Sequence, residues 1–270
     1  MLSVWLLFAL VGCVAGLVAG LFGLGGGVVM VPAMIYSFTL LGFDVAVLTH
    51  MAVGTSLACI VVTSVIATRT HHQKGAVDWP LLRRWVPGIL LGAWLGGVFA
   101  SQLAGPLLQV ALGVFLVLVG LTMLVSLVQD RASLPGVVGG GVASTLIGAL
   151  SSLFGIGGGS LTVPYLRYCR VPMQRAVATS AAQGFPLALA GSLSFAWQGW
   201  GHELLPEGSS GFVYWPAFIG LIICSAPATR VGAKLAHRLP AEKLQRAFAV
   251  ALLLIGAQFF YSYSSLALTP

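Results

Sequence analysis

The chain has 270 residues, 58% hydrophobic and only 7% charged, with a mean hydropathy of +1.00. A soluble domain carries about 25% charged residues, so this composition excludes a water-exposed globule and points to a polytopic membrane protein. The net charge of +7, from 13 Lys and Arg against 6 Asp and Glu, collects in a few loops, as in cytoplasmic loops rather than a nucleic-acid surface.

Met1 to Gly20 is apolar and has no Lys or Arg. It lacks the positive n-region of a cleaved signal peptide. Leu10-Val11-Gly12-Cys13 loosely resembles a lipoprotein cleavage box but has no such region before it. The first apolar run, 3–38, is interrupted at Leu21-Phe22-Gly23-Leu24-Gly25-Gly26-Gly27 and continues to Val31-Pro32. Each glycine weakens a helix by about 1 kcal/mol relative to alanine, and hydrocarbon offers no water to the freed backbone groups.

Runs long enough to span follow at 46–68, 80–101 and 104–128. A second interrupted run, 136–168, carries Leu153-Phe154-Gly155-Ile156-Gly157-Gly158-Gly159 and continues to Val163-Pro164. Further runs cover 175–199, 212–236 and 241–264. Pro80, Pro106, Pro172, Pro216 and Pro240 stand near segment starts.

The halves repeat beyond the glycines. Ala52-Val53-Gly54-Thr55-Ser56 matches Ala176-Val177-Ala178-Thr179-Ser180, and Val77-Asp78-Trp79-Pro80 matches Val213-Tyr214-Trp215-Pro216. Leu108-Gln109 matches Leu244-Gln245. The sequence predicts one membrane domain of two four-segment repeats, 1–130 and 131–270, joined near Gln129-Asp130-Arg131.

Loop charge orients the halves. The loop after the second segment carries Arg69, Lys74, Arg83 and Arg84 with His71 and His72, against Asp78 alone. Its counterpart carries His202, Glu203 and Glu207 and no Lys or Arg. Arg167, Arg170 and Arg175 precede the sixth segment, and Arg230, Lys234, Arg238, Lys243 and Arg246 flank the turn into the eighth. The positive-inside rule then places equivalent loops on opposite sides, so the repeats are inverted. Inversion requires an odd number of crossings per half. A re-entrant hairpin turning at each triple glycine satisfies this; a long tilted span is the alternative. The expected fold is an all-α polytopic membrane protein with about eight membrane segments, the first of each repeat broken at glycine.

Chemistry centres on the breaks. A half-helix that starts there presents free N–H groups and the positive end of its dipole, an anion site without a cation. Interrupted segments in corresponding halves mark the binding site of many transporters. The predicted substrate-binding residues are Gly25, Gly26, Gly27, Thr55, Ser56, Gly157, Gly158, Gly159, Thr179, Ser180 and Gln183. The glycines could instead serve close helix packing, and the hydroxyls could bond back to the preceding turn. His50 and Arg175 read as vestibule charges or as interfacial loop residues. No Asp or Glu lies deep in an apolar run. This argues against a cation exchanger and agrees with a small anionic substrate moving across a lipid bilayer.

The four cysteines are far apart and form no CxxC. The chain shows no metal-ligand cluster, phosphate-binding loop, dinucleotide fingerprint or catalytic triad, so neither a cofactor nor an enzymatic activity is expected.

At these residues the chain resembles the TauE/SafE family of sulfite exporters and organosulfur-anion transporters. The resemblance rests on the doubled glycine-rich stretch, Gly23 to Pro32 and Gly155 to Pro164, each followed by the threonine-serine element. It implies a permease of the bacterial inner membrane for sulfite, sulfonates or related sulfur anions. The residues themselves leave open another small anion such as a carboxylate, a channel, and a membrane-embedded enzyme or assembly factor. The repetition departs from perfection where Gly54 faces Ala178 and where Gln183 has Cys59 as counterpart. If the site is asymmetric, the second half is the better source of polar contacts.

Overall fold

The computed structural model describes residues 2–23, 25–125 and 136–240, and positions scattered over 243–257. The expected join at Gln129-Asp130-Arg131 and the matching pair Leu244-Gln245 lie outside the described residues. The helices are α1 (Leu2–Phe22), α2 (Gly27–Leu40), α3 (Val45–His72), α4 (Trp79–Ser101), α5 (Gly105–Val125), α6 (Val137–Leu153), α7 (Gly159–Tyr168), α8 (Met173–Gln198) and α9 (Trp215–Ala236).

The two interrupted runs each resolve into a helix pair, α1 with α2 and α6 with α7. The glycines terminate one helix and start the next. Aspartates start other helices: Asp44 accepts from the Ala46 N–H at 2.8 Å at the head of α3, and Asp78 accepts from Leu81 at 3.1 Å at the head of α4. Pro80 and Pro216 sit in the first turns of α4 and α9, where a missing N–H costs nothing. One element went unpredicted. An antiparallel ribbon, β1 (Ser209–Ser210) and β2 (Val213–Tyr214), precedes α9, so the run expected from residue 212 becomes helical only at Trp215.

Close contacts along glycine seams give the directions. Side chains added at Gly12, Gly16 and Gly20 of α1 would strike the carbonyls of Leu221, Ser225 and Thr229 of α9. Both numbers rise together, so α1 and α9 run parallel. Gly88, Gly92 and Gly96 of α4 meet Ser144, Thr145 and Ala149 of α6 in the same sense. Across the middle, Gly54, Leu57 and Ser64 of α3 meet Phe195, Gly191 and Gly184 of α8. These numbers run in opposite senses, so α3 and α8 are antiparallel. Small residues let such backbones approach closely, which is how membrane helices associate without a hydrophobic driving force.

The burial pattern is that of a bilayer protein. Leu6, Leu10, Leu118, Leu193 and Ile223 are exposed, whereas Thr55, Ser56, Thr63, Ser144 and Gln183 are buried. Trp5–Phe22, Val45–His72 and Trp215–Ala236 are long and apolar enough to cross a membrane.

Candidate functional site

The two glycine breaks occupy the centre of the molecule and touch each other. A side chain on Gly27 would strike the carbonyl of Gly155 and come within 3.0 Å of Ile156 Cα. A Cβ added at Gly155 would stand 3.0 Å from Val53 Cα, and one added at Gly23 would stand 2.5 Å from the Val177 carbonyl oxygen. Each break is thus seated against the long helix of the opposite half, in the first third of α3 or of α8.

Their conformations differ. In the first break Gly23, Gly25 and Gly26 all have positive φ (69°, 71° and 83°). In the second, Gly155 alone shares that state, at 68°, while Gly158 caps α7 at φ −32°. Gly26 caps α2 in the left-handed region, where a side chain costs about 1–2 kcal/mol.

In the threonine-serine pairs all four oxygens already carry hydrogen bonds across the halves, the serines to the breaks and the threonines to the residues that precede α9 and α4. Ser56 donates to the Gly155 carbonyl at 2.8 Å, and Ser180 donates to the Gly23 carbonyl at 3.2 Å. Thr55 accepts from the Tyr214 N–H at 2.9 Å, and Thr179 accepts from the Asp78 N–H at 3.0 Å. The serines have spent their protons on backbone. The threonines accept and so retain a hydroxyl hydrogen to give.

Gln183 is fully buried on α8. Its Oε1 accepts from the Thr162 hydroxyl at 3.1 Å, and its Nε2 has no partner. That nitrogen lies 3.5 Å from where a Cβ on Gly158 would stand, with Thr162 Oγ1 at 3.4 Å and Leu187 Cδ1 at 3.2 Å. Ser151, Ser152 and Ser160 also have buried hydroxyls without partners. Ser152 faces Gly191 of α8.

Sequence reasoning missed Thr63, Ser151, Ser152, Ser160 and Thr162. Thr63 donates to the Gly25 carbonyl at 3.1 Å. For the other four a signal was available, because the matching first-half positions hold Ala19, Gly20, Val28 and Met30. Polar residues where the repeat is otherwise apolar mark an asymmetric need.

The two vestibule candidates part company. Arg175 is exposed at the head of α8. His50 is buried, with Nε2 3.1 Å from the carbonyls of both Ala100 and Leu103 and its ring 5.2 Å from that of Phe212. It caps the end of α4 rather than facing an opening. Clefts instead flank the last turns of α3. One, of about 480 Å³, lies between Val65, Trp79, Leu82 and Phe185, with Arg69 and His72 on its lining. The other, of about 470 Å³, is lined by Arg69, Arg230 and Lys234 with Thr70 and Gln73.

Residues 8–259 match the family model described as Sulfite exporter TauE/SafE. A probable membrane transporter protein of Haemophilus influenzae is 34% identical over 94% of this chain and 97% of its own length. The probable membrane transporter protein YunE of Bacillus subtilis is 29% identical over 95% of this chain and 97% of its own. A probable membrane transporter protein of Methanocaldococcus jannaschii is 25% identical over 88% and 89%. No solved structure matches the chain.

Proposed function

Since the chain belongs to the sulfite exporter TauE/SafE family of multi-pass membrane transporters, we propose that it moves a small sulfur-containing anion, such as sulfite or an organosulfonate, across a bacterial-type inner membrane by alternating access. The halves 1–130 and 131–270 act as inverted repeats. Each interrupted run enters and leaves on one side, with its turn at the glycines. The breaks at Gly25–Gly27 and Gly157–Gly159, with Thr55, Ser56, Thr179, Ser180 and Gln183, line the substrate path.

The observation that carries this reading is the abutment of the two breaks between α3 and α8. There two helix N-termini, the heads of α2 and α7, offer backbone N–H groups and positive dipole ends. The antiparallel course of α3 and α8 supports inversion, because these helices hold matching threonine-serine elements. The parallel pairings of α1 with α9 and of α4 with α6 exchange under the same operation. Among the described residues no Asp, Glu, Lys or Arg is fully buried, so the interior offers hydrogen-bond donors without a carboxylate to repel an anion. Sulfite can also carry its own proton.

The test is a thermal-shift screen of purified protein in detergent against sulfite, thiosulfate, sulfate, taurine, sulfoacetate and acetate, followed by flux in proteoliposomes for any ligand that stabilises. Stabilisation and flux with sulfite or a sulfonate are expected. Stabilisation by acetate alone would transfer the reading to a carboxylate permease.

A further inference from the structure

We propose that the anion is held at the second break alone, one per protein, with the Gln183 amide as its side-chain donor and the Ser160 N–H, in the first turn of α7, as its backbone donor. This rests on the anion-transport reading above and narrows it to one half of the centre. A buried N–H group without a partner costs about as much as a lost hydrogen bond. Gln183 carries such a group, fully buried and directed at the N-cap of α7. Its other end is fixed by Thr162, which keeps the nitrogen pointing at Gly158. Ser160 adds an uncommitted hydroxyl in the same first turn.

The first break has none of this. Cys59 stands where the second half has Gln183, Val28 where it has Ser160, and Met30 where it has Thr162. The space is also taken: Gly25 is 2.5 Å from Ile60 and Gly26 is 2.7 Å from the Ala15 carbonyl, measured from an added Cβ. At Gly158 the nearest atoms are side-chain ends at 3.2–3.5 Å. The first hydroxyl near Gly25, that of Thr63, is spent on carbonyls. The first break is a packing joint and the second is a binding site. Neutral donors suit transport, since an oxyanion bound without a cation is released more readily than one trapped by an ion pair.

Sodium sulfite is titrated calorimetrically into purified wild type, Gln183→Leu, Gly158→Ala and Cys59→Ala, and the melting temperature of each is read without ligand. Wild type is expected to bind one sulfite. Gln183→Leu is expected to lose about tenfold or more in affinity, the effect of one hydrogen bond to a charged group. Its ligand-free melting temperature should hold or rise, because an uncommitted buried amide is replaced by an apolar side chain and Thr162 can bond back one turn. Gly158→Ala should fold and bind more weakly, and Cys59→Ala should bind as wild type. Unchanged affinity in Gln183→Leu, a lowered ligand-free melting temperature in that variant, or two bound anions would overturn the single-site assignment while leaving the transport reading intact. A wild type that binds no sulfur anion would overturn both.

Discussion

The Ser56 hydroxyl and the Gly155 carbonyl, 2.8 Å apart, join the longest helix of one half to the glycine break of the other. Ser180 and Gly23 repeat the bond in the opposite sense at 3.2 Å. Ser56→Ala leaves a buried carbonyl unsatisfied and should cost about 1–3 kcal/mol. Ser180→Ala, losing the longer bond, should cost less. Melting temperatures of the two variants in detergent check the order. A Ser56→Ala protein that melts like wild type but binds sulfite more weakly would make this hydroxyl a ligand rather than a brace.

Gly26 and Gly158 occupy matching positions yet should respond differently to alanine. Gly26 has φ 83° and the Ala15 carbonyl 2.7 Å from its added Cβ, whereas Gly158 has φ −32° and only side-chain ends within reach. Gly26→Ala should lower stability by more than about 1–2 kcal/mol, since steric conflict adds to the left-handed strain. Gly42, at φ 74° with open space around it, isolates the strain alone. Fluorescence-detected size-exclusion profiles after heating should rank Gly26→Ala below Gly42→Ala, and Gly42→Ala below Gly158→Ala.

Inversion predicts a labelling pattern. Gln73 and Glu203 are both exposed and follow matching helices, α3 and α8. In a Cys13→Ser background, which removes the exposed native thiol, Gln73→Cys should react with a membrane-impermeant maleimide only from the cytoplasmic side. Glu203→Cys should react only from the outside. Labelling of both from one side would refute the inverted arrangement.

His237, just past α9, sits 2.9 Å from the ring of His71. Burial, and secondarily the Lys74 charge, hold its pKa below the ordinary imidazole value. The unfolded chain therefore binds the proton first as pH falls. The contribution of His237 to stability is full above about pH 6.5 and is lost as pH drops from there through the depressed folded value. Melting temperature measured from pH 8 to pH 5 should decline at the acid end, and His237→Asn should flatten that decline.

Much of the architecture was legible because bilayer physics leaves few choices. Long apolar runs become helices, and the glycine clusters Gly25–Gly27 and Gly157–Gly159 become helix ends. The bonds of Thr55 and Ser56 were not legible, because a hydroxyl pair recurring in both halves looks the same whether it binds a ligand or backbone N–H and carbonyl groups across the interface. The ribbon at 209–214 escaped because two residues per strand show no alternation. The differing φ states of Gly26 and Gly158 escaped because the same run of three glycines packs against unlike neighbours, Ala15 in one case and Leu187 and Gln183 in the other. Ser160 and Thr162 were readable in principle, as hydroxyls standing where the repeat has Val28 and Met30.

The seams of α1 on α9 and of α4 on α6 have a mechanical corollary. Each joins the opening helix of one half to the fourth helix of the other, backbone against backbone, with no room for a methyl group at Gly16 or Gly92. The stiff blocks of this protein are therefore mixtures of the two halves, like hands with interlaced fingers. Cutting the gene at its midpoint would leave each fragment without the surface its first helix was shaped to grip. Rocking between such blocks would slide α3 along α8, the antiparallel helices that seat the two breaks.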